Sequence, residues 1–268
     1  MKKLLIYVCI LGATSLVNTA CTQDMESSSS AEKSKLIVDL GADVSFKSAS
    51  TRSIDESVYK DISNYTVKLE KTAGNQLIHS DLYSNWDLAY EVEPGVEYRL
   101  SASYGEAVPA SYDQLLVSGS ETFTVQAGST KTVSFQCKPQ AAKVSVAYSE
   151  DFSSYFSDCI VSIKTKHLDE AWEMSKTDAG KELYLQCDAE ESVELAFDIK
   201  DKDGDSVSPE GFTNTKTITV TPQTWLKLTI KPDVTEIEGG KFGINVSVNT
   251  DVIDEDVNIV LPSDIFNQ

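Results

Sequence analysis

From Leu36 onward the chain alternates apolar and polar residues with period two, as in Leu36-Ile37-Val38-Asp39-Leu40, Tyr65-Thr66-Val67-Lys68-Leu69, Thr122-Phe123-Thr124-Val125 and Thr132-Val133-Ser134-Phe135. Successive side chains of a strand point to opposite faces, so each run puts one face in a core and the other in water. No long amphipathic helix competes. Turn-forming triplets separate the runs: Ala73-Gly74-Asn75, Glu93-Pro94-Gly95, Gln126-Ala127-Gly128 and Asp203-Gly204-Asp205. Many short strands at this spacing predict an all-β body of sandwich or barrel type.

The pattern also repeats. When the second half is slid back by roughly 95 residues, Glu121-Thr122-Phe123-Thr124-Val125 through Cys137-Lys138-Pro139 lies over Thr217-Ile218-Thr219-Val220 through Ile230-Lys231-Pro232. Val67-Lys68-Leu69 falls on Val161-Ser162-Ile163, and the strand around Tyr98 falls on the strand around Leu195. The expectation is two related antiparallel β-sandwich domains in tandem, Ig-like or transthyretin-like, over residues 36–139 and 140–268. Residues 241–248 and 257–261 alternate without a counterpart in the first half, and read as a terminal hairpin that completes the second sheet.

The N-terminus has a separate logic. Lys2 and Lys3 precede an apolar run over residues 4–11, and small residues lead to Thr19-Ala20-Cys21. Charged, apolar and small segments in that order make a secretory signal, too short to span a bilayer. Leu16-Val17-Asn18-Thr19-Ala20-Cys21 resembles a lipobox, with Asn18 where leucine is usual. Residues 1–20 are therefore read as a lipoprotein signal peptide cleaved after Ala20, with Cys21 carrying the lipid. Residues 21–35, with their serine run, are read as a flexible tether. The predicted location is an outer-membrane-anchored lipoprotein, at the cell surface or facing the periplasm, with the bilayer held only through the acyl chains. The net charge of -19 becomes -21 once the two signal lysines leave, and such a surface repels nucleic acid.

The residues also suggest a family. Thr51-Arg52-Ser53, the stretch Tyr98-Arg99-Leu100-Ser101-Ala102-Ser103-Tyr104-Gly105, and Thr122-Phe123-Thr124-Val125 leading to Cys137-Lys138-Pro139 resemble the DUF4493 lipoproteins of Bacteroides and relatives. Ala142-Lys143-Val144-Ser145-Val146-Ala147-Tyr148 followed by Asp151-Phe152-Ser153-Ser154-Tyr155-Phe156 is similar to that family too. The chain departs from it at Leu115-Leu116-Val117-Ser118-Gly119, where an aromatic-Tyr-x-Gly segment is usual. The resemblance implies an exported, lipid-anchored β-sandwich protein, similar in architecture to fimbrillin-like and fimbrial-anchor proteins. From it follows the expected function class: cell adhesion, or a component of a fimbrial-type surface assembly with protein partners. In fimbrillin-like proteins cleavage after an arginine near the first strand can free that strand, so Arg52 and Ser53 are candidate processing residues. An ordinary exposed loop is the simpler reading of the same triplet.

Little in the sequence points to catalysis, and the chain is expected to be neither an enzyme nor a cofactor carrier. His79 and His167 are its two histidines, and neither stands in a nucleophile-base or zinc signature. Each reads as a surface strand or turn residue. Of the five cysteines Cys9 leaves with the signal and Cys21 takes lipid; Cys137, Cys159 and Cys187 remain, without metal-ligand spacing and with room for at most one disulfide. Asp201, Asp203 and Asp205 around Gly204 form the local candidate for Ca²⁺, although the glycine comes too early for an EF-hand, no helix flanks the run, and hairpin chemistry is the better explanation of it. Ser206, in Asp205-Ser206-Val207, is a candidate O-glycosylation acceptor. Trp86, Trp172 and Trp225 raise an alternative function, a surface glycan-binding lipoprotein, which needs exposed aromatic faces.

Overall fold

Strands in this chain form where alternation meets a turn residue, and the four turns named above each place a glycine at positive φ: Gly74, Gly95, Gly128 and Gly204. The computed structural model describes residues 33–46, 56–207, 215–237, 241–249 and 254–260. Cys21, most of the tether, Arg52 and Ser53 lie outside those residues.

The strands are β1 (Ser34–Ala42), β2 (Thr66–Lys71), β3 (Gln76–Leu82), β4 (Tyr90–Val92), β5 (Glu97–Tyr104), β6 (Ala110–Ser111), β7 (Val117–Thr124), β8 (Thr130–Pro139) and β9 (Ala141–Tyr148). They continue as β10 (Asp158–Lys164), β11 (Trp172–Met174), β12 (Glu182–Gln186), β13 (Glu191–Lys200), β14 (Thr215–Val220), β15 (Trp225–Ile237), β16 (Lys241–Asn249) and β17 (Asp254–Val260). One short helix, α1 (Phe152–Tyr155), follows β9. The protein is all-β, as the alternation predicts.

Sheet order is duplicated. A seven-stranded sheet runs β3-β2-β5-β7-β8-β1-β4, in which β7 and β8 meet only through Val117↔Pro139 and Ser118↔Lys138. A four-stranded sheet runs β11-β10-β13-β14 and a six-stranded one β17-β16-β15-β9-β12-β6. The order β3-β2-β5-β7 therefore recurs as β11-β10-β13-β14, and β8-β1-β4 recurs as β15-β9-β12. Registers recur as well: Tyr98 pairs with Phe123 and Val193 with Ile218, both members displaced by 95 positions. Alternation did not reveal that each half holds one parallel pair, β1 with β8 and β9 with β15. Between the first and second strands of each half the spacing changes. Val38 and Val67 are 29 positions apart, their counterparts Val146 and Val161 only 15, so the first half carries 14 more residues there.

The buried faces are those the pattern assigns. Leu36, Leu40, Val67, Leu69, Leu100, Phe123 and Val133 belong to one core; Val144, Val161, Ile163, Val193, Leu195, Ile218 and Leu228 belong to the other. β16 and β17 continue the six-stranded sheet beyond β15, and Ile244, Val246 and Val248 enter the second core. Burial of that apolar surface drives the association of the sheets. Among the described residues no helix is long and apolar enough to cross a membrane.

Cys137, Cys159 and Cys187 are free thiols, all buried. Burial pushes the Cys137 and Cys187 thiols up to about 12, and raises Cys159 as well. A thiol must ionise to react, so all three should be inert in the folded chain. A chain beginning at Thr22 should take up no maleimide within minutes when native and three equivalents in denaturant; rapid native labelling would contradict this burial.

Candidate functional site at the junction of the two halves

One residue, Gln140, separates the end of β8 from the start of β9. Its backbone N–H donates to the Leu116 carbonyl at 2.8 Å and its carbonyl accepts from the Cys187 N–H at 3.1 Å. Its side-chain amide donates to the carbonyls of Lys138 (2.9 Å) and Ser118 (3.2 Å). A connection so short and so fully bonded is the opposite of a flexible interdomain linker.

Immediately beyond it, three neighbouring strands are buried on both faces. Register places Lys143 on β9 opposite Trp225 on β15 and Tyr184 on β12, so the three side chains form one cross-strand row. Neighbours Ala142, Val144, Leu183, Leu185 and Leu226 point the other way, into the second core. The row itself faces the first half, and Tyr184 and Trp225 pack into that half's core.

Lys143 occupies the centre, with 4% of its side chain exposed. Its ammonium lies 2.6 Å from Glu56 Oε1 and 2.9 Å from Glu182 Oε2. It also lies over three rings, 4.5 Å from the centroids of Phe46 and Trp225 and 5.6 Å from that of Tyr184. Tyr184 Oη donates to the same Glu56 oxygen at 2.9 Å. Phe46 and Glu56 come from the first half, in the stretch between β1 and β2, and the rest from the second. Gln223, held at φ 68° next to β15, adds a cross-half bond by donating to the Ser45 carbonyl at 2.8 Å. Two carboxylates and three ring faces replace the water that the ammonium loses on burial.

Beside this row lies a cleft of about 210 Å³ between the halves, bounded by Leu115, Gln140, Tyr184, Gln186, Cys187 and Asp188. The β5–β6 loop forms its rim before β6 pairs with β12 through Ser111↔Tyr184 and Ala110↔Leu185, a two-residue strand of the first half built into the second half's sheet. Gly105 makes that path possible: at φ 86° it lets the chain turn so closely past Leu115 that any Cβ would collide with the Leu115 carbonyl.

The residues singled out in the sequence are dispersed. Asp201 accepts the backbone N–H groups of Asp203 and Asp205, each at 2.9 Å, and Lys200 bridges Ser206 to close the turn. Asp201 thus acts as the lock of a hairpin. Ser206 is exposed, and its hydroxyl donates to Asp198. Trp86 and Trp225 are buried, at 8% and 3% exposure. Trp172 is half-buried, set edge-on against Tyr112 with its Nε1 donating to the Tyr112 hydroxyl at 3.4 Å. His79 stacks on Tyr90 with centroids 4.9 Å apart. His167 lies in the turn after β10 with its side chain 19% exposed, and it faces Asp188 and Glu191. No local motif announces that grouping, because its members come from separate segments.

Residues 32–263 match the family model described as a domain of unknown function, DUF4493. No curated protein matches the chain. Solved structures are similar at low identity. A cell-adhesion candidate from Bacteroides eggerthii is 11% identical, with 85% of this chain and 97% of that one covered and a TM-score of 0.43. An adhesin candidate from Bacteroides ovatus is 9% identical, covers 84% and 95%, and has a TM-score of 0.43. A polysaccharide-binding candidate (DUF1812) from Bacteroides thetaiotaomicron is 13% identical, covers 80% and 95%, and has a TM-score of 0.38.

Removing one partner of a buried charge network leaves the other charge unpaired, which costs about 3–5 kcal/mol. Lys143→Ala should therefore destabilise the chain by about that much in urea unfolding, while Lys143→Met combined with Glu182→Gln should recover most of the loss, since the fully buried carboxylate is then gone and Glu56, 27% exposed, keeps the Tyr184 hydroxyl and water. A loss below about 1 kcal/mol in Lys143→Ala would show that the network is replaced by water at little cost.

Proposed function

The chain belongs to the DUF4493 family, and from that premise we propose that it is a lipid-anchored extracytoplasmic structural or adhesion protein, a component of a fimbrial-type or other cell-surface assembly. Cys21 supplies the anchor after cleavage behind Ala20, and the serine-rich tether lifts the folded body off the outer membrane. Its role is to hold a surface in place for protein partners, without a chemical reaction.

The observation that carries this reading is the sealed junction. A tethered body that hinged between its halves would present its far end in no defined direction. Here Gln140 is bonded at both ends, β6 crosses between the halves, and Lys143 joins carboxylates from each. The glycan-binding alternative rests on exposed tryptophan faces, and burial of Trp86 and Trp225 leaves it, of the three tryptophans, with Trp172, itself half-covered by Tyr112. That ranks it second.

The test is expression of the full chain and of Cys21→Ala in the same outer-membrane host. The unaltered protein should partition with the membrane, be reached by antibody on intact cells, and raise attachment of cells to one another or to a surface. Cys21→Ala should appear in the soluble fraction and return attachment to the level of the empty vector. Unchanged membrane partition would overturn the anchor. Attachment that never rises with the anchored protein would overturn the adhesive role.

A further inference from the structure

Close to the cleft rim, three side chains that no sequence motif connects converge. His167 follows β10, Asp188 lies in the link between β12 and β13, and Glu191 opens β13. One ligand atom from each, His167 Nε2 and a carboxylate oxygen of Asp188 and of Glu191, lies within 4.8 Å of the others. His167 Nε2 stands 3.5 Å from Asp188 Oδ1 and 3.4 Å from Glu191 Oε2. Glu191 is held from behind, its Oε1 accepting the Lys166 backbone N–H at 3.4 Å, so that Oε2 is the atom turned to the imidazole. The imidazole is positioned in turn by its own backbone N–H, which donates to Thr165 Oγ1 at 3.3 Å.

Two features of this cluster are unusual for a plain ion pair. His167 Nε2 and Glu191 Oε2 are both buried and make no hydrogen bond, and the Glu191 side chain is only 2% exposed. A protonated imidazole bonded to a carboxylate would close to about 2.7–2.9 Å. A neutral imidazole protonated on Nε2 would likewise donate to a carboxylate; one protonated on Nδ1 aims its Nε2 lone pair at both carboxylates, which is repulsive unless a cation stands between them, and the lack of a hydrogen bond at Nε2 fits that second tautomer. The two imidazole–carboxylate separations fit a shared ion: atoms bonded to zinc at about 2.0–2.1 Å with tetrahedral angles stand about 3.4 Å apart. One imidazole and two carboxylates are borderline-to-hard donors of the type that zinc and similar divalent ions accept.

Without a metal, Lys166 offsets part of the cluster's negative charge. Its ammonium lies 2.5 Å from Asp188 Oδ2 and 3.1 Å from Glu191 Oε2, although that second contact lacks the angle of a hydrogen bond. The side chain is 55% exposed, so it can swing into water and yield both carboxylates to a doubly charged ion.

We propose that His167, Asp188 and Glu191 form a binding site for a divalent cation of the zinc class, with Lys166 as the resident counter-charge that the ion displaces. The ion would tie the turn after β10 to the β12–β13 link and fix Asp188 where it borders the junction cleft. Asp188 is 54% exposed, so the fourth position opens toward solvent, free for water or for a donor atom of a partner.

The test uses the mature chain with Cys21→Ser and Zn²⁺ alone, followed by titration calorimetry and by metal quantification after dialysis. The unaltered chain should bind one ion. His167→Ala should weaken binding by about 100-fold or more, and Lys166→Ala should strengthen it by about tenfold, because the competing charge is gone. Zinc at a hundredfold excess over Kd should raise the Tm of the unaltered chain by about 5 °C or more and leave that of His167→Ala unmoved. Should His167→Ala fail to fold, Asp188→Asn, at an exposed position, serves in its place. Absence of saturable binding, equal binding by His167→Ala or Asp188→Asn, or an affinity untouched by Lys166→Ala would each overturn the proposal.

Discussion

Strand geometry sends alternate side chains to opposite faces, and at the start of β9, β12 and β15 both faces are covered. That constraint organises the molecule. Ala142, Val144, Leu183 and Leu226 satisfy the inner face by joining the second core. Lys143, Glu182, Tyr184 and Trp225 are left on the outer face, where an ammonium and two large rings need a lid that also supplies charge. The first half is that lid: Glu56 meets the ammonium, and Phe46 lies over it. Without the first half, a buried lysine and its carboxylate would return to water and the rings would be exposed.

Comparison of the halves shows where this lid comes from. Strand orders and registers repeat with an offset near 95 positions, yet the first half has 14 additional residues between its first and second strands. Phe46 and Glu56 both fall in that stretch. The part of the repeat that diverged in length is therefore the part that covers Lys143 from the other half. The second half diverges elsewhere, by adding β16 and β17 alongside β15. Each half keeps the strand order, joined into one sheet through β7 and β8 in the first half and divided into two sheets in the second, and places its extra residues at a different edge.

Much of the fold was legible in the sequence. Alternation identifies the strands because one buried face suffices to impose it, and the repeat is visible because consecutive strands such as β7–β8 and β14–β15 kept their order. The parallel pairs were not legible, since alternation fixes which face a residue occupies and says nothing of strand direction. The junction was hidden for a related reason. In Ala142-Lys143-Val144-Ser145-Val146 the lysine sits at a position opposite the valines, which reads as solvent-facing, and only the tertiary fold reveals that this face is covered too. His167, Asp188 and Glu191 were illegible because folding, not spacing, brings the turn after β10 to the start of β13. By contrast the Asp201 turn was readable as a hairpin, because its bonds are made within five residues.

The central claim is that the two halves are one mechanical and thermodynamic unit, joined through Lys143 and the bonded Gln140 connection. Scanning calorimetry of the mature chain with Cys21→Ser tests it most directly. The account predicts a single transition whose calorimetric enthalpy equals the van't Hoff enthalpy, because separating the halves breaks the Lys143–Glu56 pair and exposes the packed rings of Phe46, Tyr184 and Trp225. Two separated transitions, each with the enthalpy of about half the chain, would contradict it.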